Sequence, residues 1–280
     1  LAVVAMLSVQ LGAAISVGLF DEIGIAGTAW LRITLGAAGF VLIARPRYWH
    51  WTGRELRAPI LLGVVSGGMT LAFLAAISLL PLGTAVAIEF LGPLTVAALH
   101  SRSRSALMWP ALALVGVVLL TEPWVGTPSL AGLAFAALAA VGWGLYIVIT
   151  QHVGDRFHGV DGLAISLPVA AVLTAVVGIP QAWGHMSWQV LATAVVAALL
   201  LPLIPWTFEL YALRRMTKSA FGTLMALEPA IALLIGAVVL VQRPAAWQIV
   251  GIGCVVAAGV AAERTGRRAP EPVDLDLPLA

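Results

Sequence analysis

Arg32, Glu89, Glu209 and Glu228 each sit in a stretch of sequence that is otherwise almost wholly apolar. A guanidinium and carboxylates in such surroundings can hold a zwitterion, exchange a proton, or pair with one another. A charge at the centre of a bilayer costs roughly 2.5–3.5 kcal/mol on insertion scales, so each of these groups needs a partner or a task.

The elements that must position them follow from composition. Of the 280 residues, 61% are hydrophobic and 10% charged, against roughly 25% charged in water-soluble domains. Mean hydropathy is +1.03. Lipid is therefore the expected solvent. The apolar runs are long, unbroken and rich in Ala, Leu and Gly, which excludes the alternating pattern of a membrane barrel. The pattern predicts an all-α membrane protein with ten transmembrane helices, at 1–18, 26–44, 58–78, 83–99, 106–121, 130–150, 161–179, 189–211, 218–240 and 244–262. Residues 263–280 form a polar, Pro-rich tail expected to be disordered. The chain opens inside a span, at Leu1, so a few upstream residues are expected to be missing. A cleavable signal peptide is not expected.

Charge placement sets orientation. All of the fifteen Lys and Arg except Arg32 and Arg243 follow spans two, four, six, eight and ten. By the positive-inside rule those ends are cytoplasmic, and both termini face the cytosol. The net charge of +2 accordingly implies lipid contact and no nucleic-acid partner.

An internal repeat is also visible. Residues 73–85 align with 209–221, and carrying the alignment on sets Pro93 opposite Pro229. Spans three and four thus match spans eight and nine. The unit is five helices, and an odd number inverts the second copy. The two inverted five-helix repeats occupy 1–121 and 130–262, joined by a periplasmic connection at 122–129. Inverted repeats are the architecture of alternating access, which points to a carrier.

Depth now sharpens the candidates. Arg32 and Glu89 each lie about six residues into outside-to-inside spans, roughly 9 Å down. A salt bridge between the helices is possible at that depth. They align with Ala164 and Met225, so both charges are absent from the second half. The pair either binds substrate or takes part in proton coupling, or only fixes helix packing. Glu228 precedes Pro229 near mid-depth, where the proline disturbs the helical turn. It either binds a proton or ammonium group or is a protonated acid on a freed carbonyl. Glu209, near Arg214 and Arg215, reads better as a helix-end ion pair. Gln10 in span one, and Trp143 and Tyr146 on one face of span six, either line a cavity or pack. Trp49, Trp51, Trp124, Trp183 and Trp188 read as an interfacial belt. Gly63, Gly67 and Gly68 permit close helix contact, and Pro168, Pro202 and Pro205 can add kinks.

Cys254 is a lone packing residue, and His50, His100, His152, His158 and His185 lie in loops or at span ends. Neither cofactor nor metal is expected. A membrane-embedded enzyme lacks its clustered His or acidic pair, and a channel lacks a filter-like loop.

The stretches at 83–94 and 209–216, with Leu227-Glu-Pro-Ala230, resemble the EamA-type drug/metabolite transporters. Within that superfamily the likeness is to the bacterial threonine/homoserine exporters, and it covers essentially the whole chain. The resemblance implies a secondary exporter of amino acids or related metabolites, driven by the proton gradient. It also singles out Arg32, Glu89 and Glu228. A drug, nucleoside or other metabolite is the alternative cargo.

Overall fold

The computed structural model describes residues 2–46, 51–99, 108–122, 129–154, 156–157, 160–213 and 227–265. Among them the regular elements are helices: α1 (Ala2–Val17), α2 (Phe20–Ala44), α3 (Arg57–Ile77), α4 (Leu82–Glu89), α5 (Leu91–Leu99), α6 (Met108–Thr121), α7 (Leu130–Gly154), α8 (Asp161–Ala182), α9 (Trp188–Ala198), α10 (Ile204–Leu213), α11 (Glu228–Val239) and α12 (Ala246–Thr265). A π-helical turn at Leu199–Leu203 joins α9 to α10. Five helical runs are long and apolar enough to cross a bilayer: α2, α3, α7, α8 and Trp188–Phe208. Five shorter apolar runs accompany them.

Outward faces are apolar. Val172 and Val176, one turn apart on α8, are 71% and 72% exposed, and Leu138, Val141, Ile249 and Val250 are exposed on α7 and α12. A face of that kind matches lipid rather than water. Where lipid is as apolar as the side chains, helices associate through close packing and small residues. Accordingly α2 packs on α8, α3 on α7 and α8, α6 on α12, and α4 on α11. A Cβ at Gly63 would run into the Ser166 carbonyl oxygen, and one at Gly67 would meet Leu173 Cδ2 at 3.1 Å. Gly68 departs from the expectation: nothing lies within 4 Å of its Cβ position, because it points away from the helix contact.

Three spans are broken, each for a local reason. The second starts at Phe20, not 26, and bends at Gly24 (φ 72°). Gln181 on α8 then caps the resumed helix, its Oε1 accepting from Ala26 N at 2.6 Å and Gly27 N at 3.1 Å. A glycine is required at the bend, both for the positive φ and because a Cβ would overlap the Gln181 amide. Losing a helix cap costs about 1 kcal/mol. Gln181→Leu is therefore expected to lower the thermal midpoint of the purified protein by a few degrees. An unchanged midpoint would show that the cap contributes nothing.

Span four divides at Phe90, between α4 and α5. Pro93 lacks the N–H that would bond the carbonyl of Glu89, four residues earlier, and its ring crowds that carbonyl. Span eight divides at the π turn, where Leu201 leaves helical geometry (φ −159°, ψ 112°) beside Pro202. Ser8 Oγ of α1 donates to the carbonyl of Leu200 at 2.7 Å. The broken turn nests on glycines, since a Cβ at Gly12 would stand 3.0 Å from Leu201 Cβ, and one at Gly36 2.7 Å from Pro202. Pro168, in contrast, lies within a continuous α8. The first part of the expected span nine, 218–226, lies outside the described residues, and α11 begins at Glu228.

Trp183 and Trp188 are 78% and 77% exposed at helix ends, as expected of interfacial anchors. Trp51 instead packs on Phe157, with ring centroids 5.4 Å apart. Trp49 and Trp124 lie outside the described residues.

Candidate functional site

The broken helices surround a cavity of about 100 Å³ at the centre of the bundle. Its lining includes Gln10 (α1), Arg32 (α2), Ser66 and Phe73 (α3), Glu89 (α4), Trp143 and Tyr146 (α7), Trp206 (α10) and Glu228 (α11). Six of the seven residues singled out from the sequence thus meet in one place. For the seventh, Glu209, the backbone is part of α10, but its side chain and the expected partners Arg214 and Arg215 lie outside what is described.

The cation is held in a defined pose. Ser16 Oγ donates its one proton to the Gly12 carbonyl at 2.7 Å, which leaves its lone pair to accept from Arg32 Nη1 at 3.0 Å. Arg32 is 3% exposed, and its Nε has no hydrogen-bond partner. Arg32 and Glu89 line the same cavity, but the hydrogen-bond partner of the guanidinium is Ser16, not the carboxylate. The interhelical salt bridge that the sequence left possible is therefore not the contact that orients Arg32. Glu228 is buried at the start of α11. Aromatic walls complete the site: Trp143 meets Phe90 edge-on at 6.3 Å, and Tyr146 meets Trp206 at 5.5 Å. Trp143 and Tyr146 therefore both line the cavity and pack.

Unsatisfied polarity concentrates here. Among the described residues, five buried side-chain atoms lack a hydrogen-bond partner: Gln10 Oε1, Arg32 Nε, Ser66 Oγ, Thr34 Oγ1 and Thr150 Oγ1. The first three line the cavity. Groups of that kind cost about 1–3 kcal/mol each when left unpaired, a cost that a polar solute removes. A larger groove of about 630 Å³ along α11 and α12, between Ala230 and Ala261, is lined only by aliphatic residues and glycine. None of these lining residues offers a solute a polar side chain.

Ser16, Ser66 and Trp206 were not legible as site residues. Serine is common in apolar helices, and only the packing shows which hydroxyls face the cavity.

An apolar helical bundle around a small cavity of opposed charges has the form of a membrane transporter for a small polar solute. The EamA-like transporter family matches over residues 130–261. The threonine/homoserine exporter RhtA of Escherichia coli K12 is 35% identical over 98% of this chain and 94% of its own length. RhtA of Salmonella typhimurium LT2 is 34% identical over the same shares. A crystal structure of another protein superposes with a TM-score of 0.62 at 18% identity, covering 96% of this chain and 98% of that one. The chain belongs to the EamA-like transporter family, and it is a small-metabolite exporter of the membrane.

Proposed function

We propose that this protein exports small amino acids such as threonine or homoserine from the cytoplasm across the bacterial inner membrane, by proton antiport with alternating access. One observation carries the reading: the central cavity pairs a single guanidinium, Arg32, with two carboxylates, Glu89 and Glu228. A zwitterion fits that arrangement, its carboxylate at Arg32 and its ammonium at Glu89 or Glu228. The names of the relatives agree with that cargo. The cavity volume of about 100 Å³ favours it over a drug, since drug-sized pockets run roughly 300–1,000 Å³.

Ten spans in two inverted halves supply the scaffold in this reading. Support comes from the packing, in which several of the larger helix contacts recur when each span n is exchanged for n+5. The pairs α2–α8, α4–α11 and α6–α12 map onto themselves. The contact of α3 with α7 becomes that of α1 with α9 and α10, and α3 with α8 becomes α2 with α9. Aligned prolines also agree, because α5 and α11 begin within two residues of Pro93 and Pro229. The family match over 130–261 coincides with the second half. Both termini are cytoplasmic in this reading.

Proton exchange is assigned to one of the two carboxylates, Glu89 before Glu228. Glu89 stands at the break in span four, in the half that also holds Arg32, so one site can see substrate and proton in turn. In a strain lacking its own exporters, Glu89→Gln is expected to lose protection against excess homoserine at normal expression. Full protection by that variant would remove Glu89 from the coupling step.

A further inference from the structure

We infer that Gln10 and Ser66 form a subsite for the side-chain hydroxyl of the transported amino acid, and so select threonine or homoserine over apolar amino acids of the same shape. The inference rests on the amino-acid reading above and adds the origin of selectivity within it.

Ser66 behaves unlike four other buried hydroxyls of this bundle. Within a helix a Ser or Thr hydroxyl commonly bonds back to a carbonyl one turn earlier. Ser16, Thr28, Thr174 and Ser166 all do so, to Gly12, Gly24, Ala170 and Leu163. Ser66 is 2% exposed, lines the cavity, and makes no such bond. Gln10, on α1, is 1% exposed and lines the same cavity with Oε1 unpartnered. The same cavity has an apolar part to its lining, Phe73 and Val86 among it. Arg32 and the carboxylates account for the charged ends of a zwitterion, but not for these two neutral groups.

A hydroxyl is the functional group that answers both. It donates its proton to the Gln10 amide oxygen and accepts from Ser66, or the reverse if the amide is turned. A methyl in its place leaves both polar groups buried and unpaired. That asymmetry is how a site rejects an isostere lacking one hydroxyl, far more strongly than an apolar pocket rejects an added one. Valine is the shape-matched analogue of threonine, and norvaline that of homoserine.

The test is counterflow of labelled threonine by the purified full-length protein in proteoliposomes, with unlabelled threonine, valine, homoserine and norvaline as competitors. The hydroxylated member of each pair is expected to compete at least about tenfold better. Ser66→Ala and Gln10→Met should each narrow that ratio to about threefold or less, the gain falling on valine and norvaline. The two positions lie on different helices, so one variant still decides the matter if the other fails to fold. Equal competition within each pair in the unaltered protein would mean that water, not substrate, meets these groups, and would overturn the subsite while leaving amino-acid export intact. Retention of the full ratio in both variants would also overturn it. Absence of any amino-acid counterflow would overturn the export reading itself, and the subsite with it.

Discussion

Arg32→Gln is expected to reduce threonine counterflow by about 100-fold or more while leaving the protein folded. Among the described residues Arg32 is the only Lys or Arg lining the cavity, and the position aligned with it in the second half is Ala164. One of its nitrogens is committed to Ser16, whose own proton is already spent on Gly12. That arrangement fixes the plane of the guanidinium and leaves its Nε, without a partner, available to a carboxylate. Removing one member of a buried, hydrogen-bonded charge pair costs about 2–5 kcal/mol, and each 1.4 kcal/mol is tenfold in affinity. Arg32→Lys should not rescue transport, because an ammonium cannot reproduce a planar two-pronged contact. If Arg32 served only to pin α2 against α1, the result would differ. The glutamine variant would then lose folded protein and thermal stability, and whatever remained would transport normally. The amount of monodisperse protein, its thermal midpoint and its counterflow rate, measured together, separate the two roles.

The second large effect concerns packing. At Gly92 on α5 an added Cβ would collide with the carbonyl oxygen of Ala140 on α7 and stand 2.8 Å from its carbonyl carbon. Those are backbone atoms, so no side-chain rotation relieves the overlap, and two helices must separate. Overpacking typically costs about 1–3 kcal/mol, sometimes more, and rigid backbone on both sides sets Gly92→Ala at the upper end. The yield of folded protein should fall sharply. Gly68→Ala is the control, with nothing within 4 Å of the new methyl. It exchanges a poor helix former for the best one, and should match or slightly exceed the unaltered protein in thermal midpoint. Equal behaviour of the two variants would show that the α5–α7 approach is not as close as described.

The cavity explains why the charged candidates were legible while their partners were not. An Arg or Glu in an apolar run is conspicuous because its insertion cost demands a reason. Arg32, Glu89 and Glu228 stood out on that ground, and all three reach the cavity. A serine carries no comparable cost, since any helix can absorb its hydroxyl by a bond to the preceding turn. Ser16 and Ser66 therefore look like a dozen other small residues until the bundle shows which face each occupies. Helix breaks behaved in the same way. The prolines are plain in the sequence, yet Pro168 is accommodated in a continuous helix while the turn at Pro202 opens. Where the turn opens, Gly12 and Gly36 of two neighbouring helices leave room for Leu201 and Pro202.

Arg32 and Glu89 show the division most clearly. Composition and run length alone dictated an apolar helical protein, because 280 residues with 10% charge cannot cover themselves for water. Depth along each run also placed these two charges at a similar level. Only the tertiary structure decided what the guanidinium holds, which is Ser16 of α1. That choice depends on how α1 and α2 rotate about their axes. Interhelical packing sets rotation, and no local signal in either segment encodes it.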